Sequence, residues 1–98
     1  MSEQAFETLA DSLLESLEEE IDDAELQGGV LTVQAGAGTW LVNKHAPTRQ
    51  IWLSSPKSGA HHYAFEAASG LWQDTRGGPD LLATLAAELD VALEWTPE

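Results

Sequence analysis

The 98-residue chain carries 17 acidic and 4 basic residues, a formal net charge of −13, with 43% hydrophobic and 7% aromatic residues. That apolar content fits one modest folded core rather than a disordered acidic tail, while the charge argues against nucleic acid or anionic membrane as a partner and towards cations or a basic protein surface. The absence of cysteine excludes disulfides, thiolate metal sites and a cysteine nucleophile, leaving carboxylate and imidazole as the strong metal ligands.

Phe6, Leu9, Ala10, Leu13, Leu17 and Ile21 follow a three-and-four spacing, so residues 3–25 read as one amphipathic helix with its carboxylates opposite the apolar stripe. Residues 26–29 end it. Residues 30–34 and 39–44 are β-rich runs separated by an Ala/Gly turn, which reads as an antiparallel hairpin. Residues 50–54, 62–66 and 71–74 follow as further short strands, punctuated by Pro56, Gly59 and Ser69-Gly70. After Gly77-Gly78-Pro79, the run Leu82, Leu85, Ala86 and Leu89 predicts a second helix, with Gly78 as its cap and Pro79 as its first residue. Residues 91–95 alternate and read as a short closing strand. The expected architecture is an α+β two-layer sandwich: N- and C-terminal helices on one face of an antiparallel sheet of four or five strands, in a single domain over residues 1–98. No apolar run approaches the roughly 20 residues of a membrane span, and the N-terminus has neither signal-peptide nor transit-peptide character, so a cytoplasmic bacterial protein is expected.

The acids of the first helix form a pattern. Glu7, Asp11, Glu15, Glu19 and Asp23 recur four apart, Glu15, Glu18, Asp22 and Glu25 run alongside, and no Lys or Arg precedes Lys44. Like charges at this spacing cost roughly 0.2–0.5 kcal/mol per pair, and the dipole at the helix end favours cations over Asp22, Asp23 and Glu25. The ridge therefore asks for a cationic partner. A convex helix face offers a hard ion only pairs such as Glu18/Asp22, Glu15/Glu19 or Glu19/Asp23, completed by water, so binding is expected to be weak, exchangeable and poorly selective.

Strand alternation points to a second surface. If Ile51 and Leu53 face the helices, Trp52 faces water with Gln50 and Ser54, and a patch of Asn43, Gln50 and Trp52 suits protein recognition. Periodicity leaves equally open that a loop or the tail covers Trp52. His61 and His62 alternate across a strand and so cannot share one ion without a bulge, and His45 reads as a loop residue between Lys44 and Arg49. Nucleophilic catalysis is unsupported: Ser54-Ser55 has no paired His and Asp in an elbow motif.

The run from Phe6 to Asp23, then Gly29-Val30-Leu31-Thr32-Val33, Val42-Asn43-Lys44, Pro47, Gln50-Ile51-Trp52-Leu53-Ser54-Ser55-Pro56, Ser58-Gly59 and Trp72 closely resembles the frataxin family, called CyaY in bacteria. The resemblance implies an iron-binding protein of iron–sulfur cluster assembly that docks on a cysteine desulfurase and its scaffold protein, as iron carrier or sensor and as regulator. It maps the family's iron ridge onto Asp11, Glu15, Glu18, Glu19, Asp22 and Asp23, and its sheet surface onto Asn43, Gln50 and Trp52. The expected cargo is weakly held Fe2+ or Fe3+, with other divalent cations admitted, and the expected state is a monomer, with metal-dependent oligomers left open. Alternatives are a metal-independent acidic adaptor and a weak ferroxidase. Where many members carry Asn-Lys-Gln, and Ser-Gly-Pro before a basic pair, this chain has Asn43-Lys44-His45 and Ser58-Gly59-Ala60-His61-His62. Imidazoles, largely neutral above about pH 6.5, stand in for basic contacts, which predicts weaker or pH-dependent docking.

Overall fold

Ser2 starts the first helix by accepting a hydrogen bond from the Ala5 backbone N–H at 3.1 Å, which satisfies one of the donors every helix leaves free at its start. The structure, a computed structural model, describes residues 1–97, so Glu98 of the expected domain lies outside the described residues. Helix α1 spans Glu3–Glu20 and buries Phe6, Ala10, Leu13, Leu14 and Leu17. The expected stripe is therefore found, with Leu14 added and Leu9 only partly buried.

The helix stops five residues earlier than its composition predicts. Ile21 turns extended while its N–H still reaches Leu17 O, and Asp23 adopts φ 60°, which reverses the chain. Ala24–Gln27 then forms β1, an edge strand paired antiparallel with β2. Glu and Leu favour helix intrinsically, but pairing with β2 puts Ala24 and Leu26 against the core and Glu25 and Gln27 outwards. Tertiary pairing overrides propensity here.

The remaining strands are β2 (Val30–Ala35), β3 (Gly38–His45), β4 (Gln50–Ser55), β5 (Gly59–Glu66) and β6 (Leu71–Asp74). Six strands, rather than four or five, form one antiparallel meander in chain order β1-β2-β3-β4-β5-β6. A short 3-10 turn, Ala46–Thr48, joins β3 to β4, so His45 ends a strand instead of lying in a loop. One sheet face supplies Leu31, Val33, Trp40, Val42, Ile51, Leu53, Tyr63 and Trp72 to the core beneath α1 and the second helix.

That second helix, α2, spans Leu81–Leu89 and buries Leu81 and Leu85. Its cap is Asp80, whose carboxylate accepts from Ala83 N–H at 3.4 Å; Gly78 and Pro79 precede it outside the helix. A carboxylate at this position satisfies a free N–H and suits the dipole, which glycine cannot match. The tail forms no strand among the described residues. Trp95 instead packs by Phe65 and Trp72 and donates its indole N–H to Ser12 at 3.1 Å, closing the α1 side of the core. Two helices on one face of an antiparallel sheet, with the other face open, is the α+β sandwich expected from the sequence.

Candidate functional site

Lys44 changes the reading of the acidic ridge. Its side chain points from β3 to the helix side, where the ammonium pairs with Glu7 at 2.5 Å and Asp11 at 2.7 Å. The path is open because Gly29 has no side chain: a Cβ there would lie 3.0 Å from Lys44 Cε. Hydrogen bonds to Asp11 and then Glu7 raise the lysine pKa above its ordinary value. The N-terminal half of the ridge is thus compensated by a cation that lies 33 residues beyond Asp11 in the chain.

The other ridge residues separate into two kinds. Glu18 accepts the Leu26 backbone N–H at 2.8 Å and so ties α1 to β1. Glu15 and Glu19 stay exposed on α1, four apart, while Asp22 and Asp23 sit exposed in the turn after it. Among the described residues none of these four makes an ion pair. The pairs Glu18/Asp22 and Glu19/Asp23, spaced for a continuous helix, are not helical pairs because α1 ends at Glu20. Glu15/Glu19 remains one. Among the described residues no three His, Asp or Glu side chains are arranged to hold one metal ion.

On the open sheet face, Asn43 and Trp52 are direct cross-strand partners, and Gln50 Oε1 accepts the Trp52 indole N–H at 2.9 Å. The structure therefore brings all three expected recognition residues together. Trp52 is partly buried, stacked between His45 and His62. The tail packs on the helix side of the sheet and does not cover it.

A polar hub beyond these predictions centres on Glu88 of α2. Its carboxylate accepts from Trp40 Nε1 at 2.9 Å, Ser55 Oγ at 2.5 Å and Ser58 Oγ at 2.6 Å. Burial pushes its pKa up, but the hydrogen bonds from Ser55, Ser58 and Trp40 outweigh that and leave it lowered. Ser58 Oγ also lies 2.8 Å from His61 Nε2, and His61 Nδ1 lies 3.5 Å from Asp74 Oδ2. This superficially resembles a nucleophile–base–acid chain. The Ser58 hydroxyl proton is committed to Glu88, however, and 3.5 Å is too long for a strong orienting bond, so the set clamps the β4–β5 turn to α2 rather than activating a nucleophile. No spacing rule signals Glu88, which reads as one more solvated acid in its helix.

The molecule's likeness to known proteins agrees with this geometry. A model of the frataxin-like domain matches residues 1–94. The chain is 40% identical over 105 residues to a mitochondrial frataxin-like protein of Leishmania donovani, covering 90% of this chain and 54% of that protein. It is 35% identical over 99 residues to the iron-sulfur cluster assembly protein CyaY of Neisseria meningitidis serogroup B, covering 94% of this chain and 90% of that one. The chain spans about half the length of the mitochondrial relatives it matches from Leishmania, Schizosaccharomyces pombe and Saccharomyces cerevisiae: 54%, 50% and 51%. Among solved structures, the frataxin of Psychromonas ingrahamii superposes with a TM-score of 0.82 at 28% identity, covering 99% of this chain and 100% of that one. Trimeric yeast frataxin complexed with ferrous iron gives 0.70 at 37% identity, covering 88% and 82%. No helix among the described residues is long and apolar enough to cross a membrane. With the six-stranded meander, the two helices on one face and a family match over residues 1–94, the chain belongs to the frataxin family, whose bacterial members are called CyaY.

Proposed function

We propose that this chain, as one frataxin-like domain over residues 1–98, binds iron weakly and exchangeably as a carrier or sensor, and regulates a cysteine desulfurase–scaffold complex in iron–sulfur cluster assembly. The family of the chain, and the name of its Neisseria relative, support the pathway. The observation that carries the iron reading is the group Glu15, Glu19, Asp22 and Asp23, exposed and without an ion pair among the described residues, of which Glu19, Asp22 and Asp23 lie at the negative end of the α1 dipole. Iron is cargo here. Solvated carboxylates without a converging set of three among the described residues favour fast exchange over a resident centre. A cytoplasmic bacterial setting belongs to the proposal and rests on the Neisseria relative; the eukaryotic relatives are mitochondrial by name.

Paramagnetic iron titrated into the 15N-labelled chain tests the site. Broadening is expected to concentrate on residues 15–25 and to spare the sheet face, and strongest effects at His45, His61 or His62 would remove the basis of the iron reading.

The lack of three converging ligands among the described residues also favours a second reading, in which the same acids dock a basic partner surface without metal. Salt-sensitive binding to the desulfurase that persists with all metal chelated would select it.

A further inference from the structure

Trp52 is the middle of a three-ring stack that crosses β3, β4 and β5. The His45 imidazole lies on one face of the indole, centroids 3.8 Å apart and 11° from parallel, and His62 lies on the other at 4.3 Å and 10°. His62 is the direct cross-strand partner of Trp52, whereas His45 reaches it from the diagonal position beside Gln50. The His45 end of the stack is itself held, with Nδ1 2.8 Å from Thr48 Oγ1, and the indole N–H at its middle donates to Gln50 at 2.9 Å.

Both π faces of Trp52 are therefore occupied, and its N–H is used within the protein. What stays available is the ring edge, beside a shallow groove of about 220 Å³ lined by Leu41, Asn43, Ser54, Ala60 and His62. An unclamped surface tryptophan samples several rotamers and loses that freedom on docking, whereas one wedged between two rings has lost it already. The face is suited to an apolar partner: Leu41 is 42% exposed beside the groove, and β3 and β4 place no acid on this side in a chain of net charge −13.

We propose that His45 and His62 are positioning residues that hold Trp52 edge-on as a preorganised docking anchor, and that the partner surface it fits is a narrow apolar cleft taking the indole edge rather than a flat ring that stacks on it. The inference rests on the reading, expected from the sequence, that Asn43, Gln50 and Trp52 form the docking face. It adds that the two histidines, through their stacking on the indole, set how strongly that face binds.

The test compares wild type, Trp52→Ala, the double variant His45→Ala/His62→Ala and the double variant His45→Phe/His62→Phe. Docking to the desulfurase–scaffold complex is measured by calorimetry, beside thermal unfolding and 15N relaxation of the Trp52 indole N–H. The alanine pair is expected to weaken docking about three- to tenfold and to mobilise the indole, as loss of aromatic contacts predicts. Phenylalanine keeps the stacking without the imidazole and is expected to restore docking to within about twofold. An alanine pair that docks like wild type, or a phenylalanine pair that docks no better than the alanine pair, overturns the positioning role while leaving the Trp52 contact standing. If Trp52→Ala itself docks like wild type, the sheet-face reading falls and this inference falls with it. The indole relaxation decides the clamp without any partner: an indole equally rigid in the alanine pair overturns it.

Discussion

The ammonium of Lys44 sits 2.7 Å from the carboxylate of Asp11, across the boundary between sheet and helix. A ridge that looks uniformly unneutralised along α1 is thereby divided. Glu7 and Asp11 share a lysine, and the charge without an ion pair among the described residues collects at Glu15, Glu19 and the turn after the helix.

Removing that lysine exposes the division. Lys44→Met is expected to cost about 0.5–1 kcal/mol, because the pair is partly solvated, with side-chain exposures of 23% for Lys44 and 48% for Asp11. Its pKa is raised on folding, so the pair's stabilisation is complete below the ordinary lysine value of 10.5 and is lost as pH rises through the higher folded value. Urea unfolding of both proteins from pH 8 to pH 12 should show the difference shrinking only at the alkaline end. A difference that is constant across that range would mean that stem packing, not charge, makes the contribution.

At the other end of the helix, charge reversal should stabilise. Glu19 and Asp22 lie where the dipole favours cations, so Glu19→Lys with Asp22→Lys is expected to gain roughly 1 kcal/mol in low-salt, metal-free buffer, about 4–8 °C in melting temperature. Calcium added to wild type should raise its melting temperature as well as iron(II) does, and simple salt should give part of the effect. A double variant with an unchanged or lower melting temperature would show that this end of the ridge is not strained.

Glu18 should behave unlike its neighbours. It holds the Leu26 N–H at 2.8 Å, so Glu18→Ala is expected to destabilise the fold by about 1–2 kcal/mol, against near neutrality for Glu15→Ala. Chemical denaturation of the two variants distinguishes a solvated acid from one that secures β1.

Glu88 provides the acid-side counterpart of Lys44. Three donors depend on its carboxylate, one of them the indole N–H of Trp40, which is 1% exposed, so Glu88→Ala should cost about 1–3 kcal/mol. Burial alone would raise this carboxyl, yet the hydrogen bonds from Ser55, Ser58 and Trp40 lower it below 4.5. A lowered folded value means stabilisation that is full above the unfolded value of 4.5 and is lost as pH falls through the folded one. The stability gap between wild type and Glu88→Gln, followed by thermal melts from pH 7 to pH 3, should therefore narrow below pH 4.5. A gap that widens there would reverse the assignment.

Trp52 and Trp40 test the two sheet faces. Trp52→Ala should cost about 1–2 kcal/mol, the loss of two stacked rings on a solvated face, and should weaken docking to the desulfurase–scaffold complex. Trp40→Ala should cost about 3–5 kcal/mol as a buried aromatic deletion. Comparable losses for the two in denaturant titrations would place Trp52 in the core instead.

Local patterning determined much of this protein. The spacing of Phe6, Ala10, Leu13 and Leu17 defines the buried side of α1, and the alternation of Ile51 and Leu53 with Trp52 assigns the two faces of β4, because those periods follow from helix and strand geometry alone. Tertiary structure decided the end of α1, where pairing with β2 outweighs the helix propensity of residues 24–27, and hence whether Asp22 and Asp23 share a helix face with Glu18 and Glu19. It also decided Lys44 against Asp11, the histidines around Trp52 and the three donors on Glu88. Those contacts join residues up to 48 apart in the chain, and the energy of a charge or hydrogen bond depends on a partner that only the path of the folded backbone brings within reach.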